Sequence, residues 1–382
     1  MASRAAVVEW LLDGDPSIRW QAMRDLTDTP ADAVAAERSR VAKEGWGAEL
    51  LARQTADGHW NDQTEHGWMT TTDALQLLRD LGADPSDGKV HGAVGRVTDR
   101  ITWWQLDGRP FFDGETEACI NGRILATGAY FGAPVEPLLG RLLGEQLEDG
   151  GWNCEAPTSK RSSFHSTICV LEGLLEYEKA HGASAAVTGA RARAEHYLLE
   201  RGMMKSLSTG EVINRRWTSF SFPAVWCYDG LRGLDYLRSA GVKPDERVAE
   251  AVALVEQRRD VDGRWPLDVI HRDHAERLAF DVETEARLSG ATRPVSGSCP
   301  ALRGVLHVKD EAFVRFDIAR VVDLLHTRQQ AVLDPGPEAQ LDVEDLPRRF
   351  VPIDAVHDAT AVVRLVHEAL YIERRDDEGI EE

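Results

Sequence analysis

The chain reads as a succession of helical runs that fall into two alternating sets. One set covers residues 46–56, 90–104, 135–147, 184–201 and 246–259. Between them lie runs at 70–82, 119–132, 163–182 and 222–241, with a weaker one at 299–308. The first four of this second set end in glycine, the residue that most readily takes the left-handed conformation closing a helix. Two of them, around residues 124–130 and 168–175, are small or apolar round most of the helix, which predicts burial on most sides. The pattern predicts inner helices sheathed by outer ones. Residues 6–43 predict short helices, with Asp15-Pro16 as a start signal. Residues 268–298 read as a charged loop. Helices follow at 311–333 and 358–371, on either side of a Pro-Gly-Pro break, and the last residues read as a frayed charged tail.

A short pattern recurs where an outer run ends. It is Gln54, Asp57, Gly58, Trp60; then Gln146, Asp149, Gly150, Trp152; then Arg259, Asp262, Gly263, Trp265. A degenerate copy has Gln105, Asp107, Gly108 and Phe111. Each predicts a corner: the glycine supplies positive φ, the aspartate bonds back to nearby amides, and the indole packs one corner on its neighbour. Recurrence at this distance means stacked helical repeats.

These corners resemble the QW motif of squalene cyclases and the β subunits of protein prenyltransferases. The resemblance implies an all-α chain folded as an α/α toroid over residues 46–325, preceded by N-terminal helices (1–45) and followed by a C-terminal extension (326–382). It also implies an enzyme acting on an isoprenoid-like apolar substrate in a central cavity. Two family signatures are missing. No Asp-x-Asp-Asp stands at an inner-helix start, where class II cyclases carry their protonating acid, and no Asp-Asp-x-x-Asp is present.

Composition narrows the partners. The formal charge of −20 argues against nucleic acid or an anionic membrane as the main partner. No run approaches the ~18 apolar residues of a membrane span. The first residues read as an amphipathic helix and not as a signal peptide. Five widely spaced cysteines give no disulfide framework, so a reducing cytoplasm is the expected setting.

In a toroid the starts of the inner helices converge at the mouth of the cavity, and here those starts are rich in ligand and acid/base residues. Glu117, Cys119 and His165 make the sharpest set: a carboxylate, a thiol and an imidazole, the donors of a three-ligand zinc site with an open position. The prenyltransferase resemblance supports it, since that family ligates zinc through Asp-x-Cys and a later His. Asp113 or Glu115 is an alternative carboxylate. Lys160, Arg161, Arg215 and Arg216 lie in loops before inner helices and are candidates to hold a diphosphate. Trp68, Phe164 and Trp226, with Trp217, Phe220, Phe222 and Tyr228, are candidates to line an apolar cavity and to stabilise cations. A second reading is a metal-free cyclase or isomerase, with Asp229, Glu115 or Glu117 as a buried acid and Tyr228 beside it. A third is a toroid that only binds a lipid or a protein.

Overall fold

The computed structural model describes residues 8–9, 11–60, 67–222, 224–258 and 268–270, and the chain over them is mostly helical. Two N-terminal helices come first, α1 (Pro16–Leu26) and α2 (Ala31–Arg38). Asp15 starts α1 by accepting from the Ser17 amide at 2.9 Å, with proline at the first helical position. Then follow α3 (Gly45–Ala52), α4 (Gly67–Leu81), α5 (Gly88–Arg100), α6 (Ala118–Phe131) and α7 (Glu136–Gly144). The series closes with α8 (Phe164–His181), α9 (Ala185–Glu200), α10 (Gly230–Ser239) and α11 (Ala249–Gln257). Among the described residues, paired strands are limited to two short pairs. β1 (Thr102–Trp103) runs antiparallel to β2 (Arg109–Pro110), and β3 (Ser221–Phe222) runs parallel to β4 (Val269–Ile270).

The even-numbered helices α4, α6, α8 and α10 pack side by side in chain order, each on the next. The α6–α8 pair is the tightest, and glycine is the reason. A Cβ built on Gly173 would stand 2.5 Å from the Gly122 carbonyl oxygen, and one on Gly122 would meet the main chain of Cys169 and Val170. Backbone therefore lies on backbone at this crossing. Ile124, Leu125, Ile168, Val170, Leu171 and Leu174 are fully buried on these two helices.

Helices α3, α5, α7 and α9 form the other set, and the repeated corners join them. Gln54 donates through Nε2 to the carbonyls of Gly58 (2.9 Å) and of Ala93 on α5 (3.0 Å), while its Oε1 accepts from Arg96. Gln146 repeats this with Gly150 (2.7 Å), Ala190 on α9 (2.8 Å) and Arg193. The indoles do the same job twice: Trp60 donates to Leu50 O at 2.8 Å and Trp152 to Leu142 O at 2.7 Å. Both indoles are buried, and Gly58 and Gly150 have φ of 97° and 98°. Each corner thus satisfies carbonyls at a helix end and carbonyls on the next helix of its set at once. The degenerate copy keeps only part of this. Phe111 is buried and its carbonyl accepts from Trp103 at 2.9 Å, but Gln105 is exposed. The copy at 259–265 lies outside the described residues.

The N-terminal helices dock on the C-terminal ends of α4 and α6. Trp20 donates to Leu81 O at 2.9 Å, and Arg38 donates to Gly82 O at 2.9 Å and to Tyr130 Oη at 2.8 Å.

Three expectations need adjusting. The run 222–241 is helical only from Gly230, because Asp229 caps the helix there and residues 221–222 are extended. The run 90–104 stops at Arg100, where the chain enters β1. The run 46–56 stops at Ala52, which frees Gln54 to reach sideways. The expected helices at 299–308, 311–333 and 358–371, and the whole 326–382 extension, lie outside the described residues.

Candidate functional site

Cys119 is the second residue of α6 and is buried. The approach to this helix is shaped by Glu115, whose Oε2 accepts from the amides of Thr116 (2.5 Å) and Glu117 (2.7 Å). That turn sets exposed Glu117 over the helix start, where its Oε2 accepts from the Cys119 thiol at 3.6 Å.

The second thiol arrives from the corner. Trp152 is fixed by its indole and by its amide, which donates to Thr167 Oγ1 at 3.0 Å. Residues 152–154 therefore run beside the first turn of α8. The Cys154 amide donates to Ser166 Oγ at 3.2 Å, and its Sγ lies 3.2 Å from the same hydroxyl. The Cys119 amide donates to Cys154 Sγ at 3.3 Å. Two helix starts thus bring an amide donor and a hydroxyl to one sulfur. Hydrogen bonding from the Cys119 side chain, with Ser166 and the Cys119 amide adding to it against the effect of burial, lowers the Cys154 thiol to about 7, while the same pairing and burial push Cys119 well up. Ligand atoms of Glu117, Cys119 and Cys154 all lie within 4.8 Å of one another.

The expected set of Glu117, Cys119 and His165 is not the one assembled; Cys154 takes the third place. His165 is engaged elsewhere. Its Nδ1 accepts from the Tyr228 amide at 2.8 Å. An amide can only donate, so the neutral ring carries its proton on Nε2 and has no free lone pair for a metal. Burial, with Arg232 adding to it, pushes the imidazole down to about 4 and keeps it neutral. The ring lies against Trp226 and edge-on to Trp217, with centroids at 5.2 and 5.7 Å.

The expected aromatic lining divides into two groups. Phe164, Trp217 and Tyr228 pack on one another, with Tyr197 on Phe164 and His165 and Trp226 at the edge. Trp68 packs instead on Trp103, which stacks on Phe111. Trp226 is 43% exposed.

The candidate acids are occupied. The Tyr228 hydroxyl is buried and donates to Met203 O at 2.6 Å. Asp229 caps α10, accepting from the Arg232 amide at 2.8 Å and from Ser221 Oγ at 2.6 Å. Burial raises its carboxyl. Lys160 and Arg161 are exposed on a loop, and Arg215 and Arg216 are exposed at the start of a short 3-10 turn, Arg215–Thr218.

Paired charges, not aromatics, continue the site along the helices. On α8 the stripe His165, Cys169, Glu172 runs at helical spacing. Arg232 of α10 forks onto Glu172 with two bonds of 2.8 Å and reaches Cys169 Sγ at 3.7 Å. One turn below Cys119, Arg123 pairs with Asp73 of α4 and donates to Gln76 at 2.6 Å; Arg123 and Asp73 are almost fully buried. Burial works to raise Glu172, and the Arg232 guanidinium more than offsets it, leaving the carboxyl below its usual range. Neither pair was anticipated, although an arginine and an aspartate inside apolar helices were the available signal.

No family model, curated protein or solved structure matches the chain. Among the described residues no helix is long and apolar enough to cross a membrane.

Proposed function

We propose that this chain is an enzyme of the squalene cyclase and prenyltransferase type, an α/α toroid with a zinc ion held by Glu117, Cys119 and Cys154. The observation that carries this is the convergence of two thiols and a carboxylate at two adjacent helix starts. Two sulfurs and one oxygen suit zinc better than a hard cation, and three protein ligands leave one position open for a reactant. Zinc bound there would supply Lewis acidity and lower the pKa of a coordinated thiol or water.

The chain's own residues do the rest. Ser166 and the Cys119 amide orient Cys154. The exposed face of Trp226, beside neutral His165, offers an apolar rest for an isoprenoid-like group. Toroid closure is part of the proposal and is supported by the repeated corners and the two sets of helices. The metal-free acid reading ranks lower, since the oxygens of Asp229 are engaged in capping.

Metal content tests the proposal. Protein purified without chelator or metal-affinity tag is expected to hold about one zinc per chain. Cys119→Ser and Cys154→Ser are expected to lose it, and His165→Asn to keep it. Metal-free wild type, or full occupancy in Cys154→Ser, refutes the assignment.

A further inference from the structure

Cys119 and Cys154 have a second chemistry open to them. Their sulfurs lie within 4.8 Å of each other, and a disulfide bond is about 2.05 Å, so the sulfurs must approach by less than about 3 Å. Cys119 is held in α6, whereas Cys154 sits in a loop and is only half-buried, so the approach is made by the loop residue, which gives up its contacts with Ser166, and needs no unwinding of a helix. The other described cysteines are placed differently. Cys169 is buried between Arg232 and the Trp226 carbonyl, and Cys227 is half-buried just before α10 and belongs to no cluster with Cys119 and Cys154 among the described residues.

We propose that Cys119 and Cys154 form a reversible redox pair that a peroxide oxidises to a disulfide, and that this disulfide excludes the metal. The exclusion rests on the zinc reading; the pair itself does not. In the first step the Cys154 sulfur attacks one peroxide oxygen and the O–O bond breaks. Cys154 becomes a sulfenic acid, and its former thiol proton leaves with the second oxygen as water. In the second step the Cys119 sulfur attacks the Cys154 sulfur. Its proton passes by way of Glu117, which already accepts from it at 3.6 Å, and the hydroxyl departs as water. Overall two thiols and one hydrogen peroxide give one disulfide and two waters. Each sulfur loses one electron and the peroxide gains two. A thiol reductant reverses the change by exchange. A sulfur in the disulfide carries no thiolate, so two of the three proposed ligands disappear together.

The test uses the full-length chain in two forms, chelator-stripped and zinc-loaded. Each is treated with stoichiometric hydrogen peroxide, alkylated and digested without reduction for mass spectrometry. The stripped form is expected to give a Cys119–Cys154 linked peptide, lost on adding dithiothreitol. Cys154→Ser is expected to give none, and Cys119→Ser to leave a dimedone-reactive sulfenic acid on Cys154. Circular dichroism checks that both variants keep their helices. The zinc-loaded form is expected to release one zinc per disulfide. A stripped wild type without that peptide, or one in which Cys154 links equally to Cys227, overturns the redox pair. Zinc that stays bound while the disulfide forms overturns the exclusion. If the protein never holds zinc but the disulfide forms, the metal reading falls and the redox pair stands.

Discussion

Replacing Gly122 by alanine sets two opposing effects against each other. Alanine is the better helix former by up to about 1 kcal/mol, so an isolated α6 would gain. The added methyl, however, would stand closer than 3.0 Å to main-chain atoms of Cys169 and Val170. No flexible side chain can yield there; α8 itself must move. Relief of such a contact requires a separation on the order of 1 Å, and a gap of that size forfeits up to half of each dispersion contact along the crossing. Overpacking typically costs about 1–3 kcal/mol, and a clash with backbone belongs at the upper end. The net expectation is a loss of about 1–2 kcal/mol despite the higher propensity. Gly140→Ala is the control. It lies inside α7, and a Cβ there meets nothing within 4 Å, so a gain of about 0.5–1 kcal/mol is expected. Urea unfolding followed by circular dichroism measures both. Displacing α8 also carries Ser166 away from Cys119, so zinc affinity should fall in Gly122→Ala and not in Gly140→Ala. A Gly122→Ala protein as stable as Gly140→Ala would refute the close crossing.

Three other outcomes are expected. Gln146→Ala removes the amide that ties the Gly150 carbonyl to the Ala190 carbonyl on α9 and should cost about 1–3 kcal/mol in the same urea assay, with Gln54→Ala behaving alike because the two corners share their bonds. Arg123→Met takes the guanidinium away from the buried Asp73 carboxylate and should cost about 3–5 kcal/mol, part of which Asp73→Asn should restore; a single variant as stable as wild type would count against the pair. Burial and Arg232 push folded His165 down to about 4 from its ordinary 6.5, so the unfolded state binds more protons between those values. Its contribution to stability is therefore complete above about pH 6.5 and is lost as pH falls towards 4. In His165→Asn, where the side-chain oxygen can still accept from Tyr228, that part of the pH slope should vanish; an unchanged slope would contradict the assignment.

Much of the fold was legible because local rules decide it. Glycine at 82, 132, 182 and 241 marked four helix ends, and the Gln54 and Gln146 corners announced the repeat. What the pattern could not give was lateral placement. Cys154 belongs to a loop after a corner, so reading only the inner-helix starts passed over it. Its position depends on Trp152, Thr167 and Ser166, which are adjacent only after folding. His165 looked like a ligand by residue type, and only a contact spanning 63 residues shows that its nitrogen serves the Tyr228 amide. The candidate lining was chosen for aromaticity, and so it missed Arg123 and Arg232, whose cost in an apolar helix is offset by partners on neighbouring helices.

X-ray absorption at the zinc edge tests the central claim most directly, because it separates sulfur from imidazole ligands in the intact protein. Zinc on Glu117, Cys119 and Cys154 predicts two sulfur scatterers at about 2.3 Å with oxygen at about 2.0–2.2 Å. The spectrum should be unchanged in His165→Asn and should lose its sulfur shell with the metal in Cys154→Ser. A single sulfur with an imidazole signature that disappears in His165→Asn, or no bound zinc at all, would contradict it.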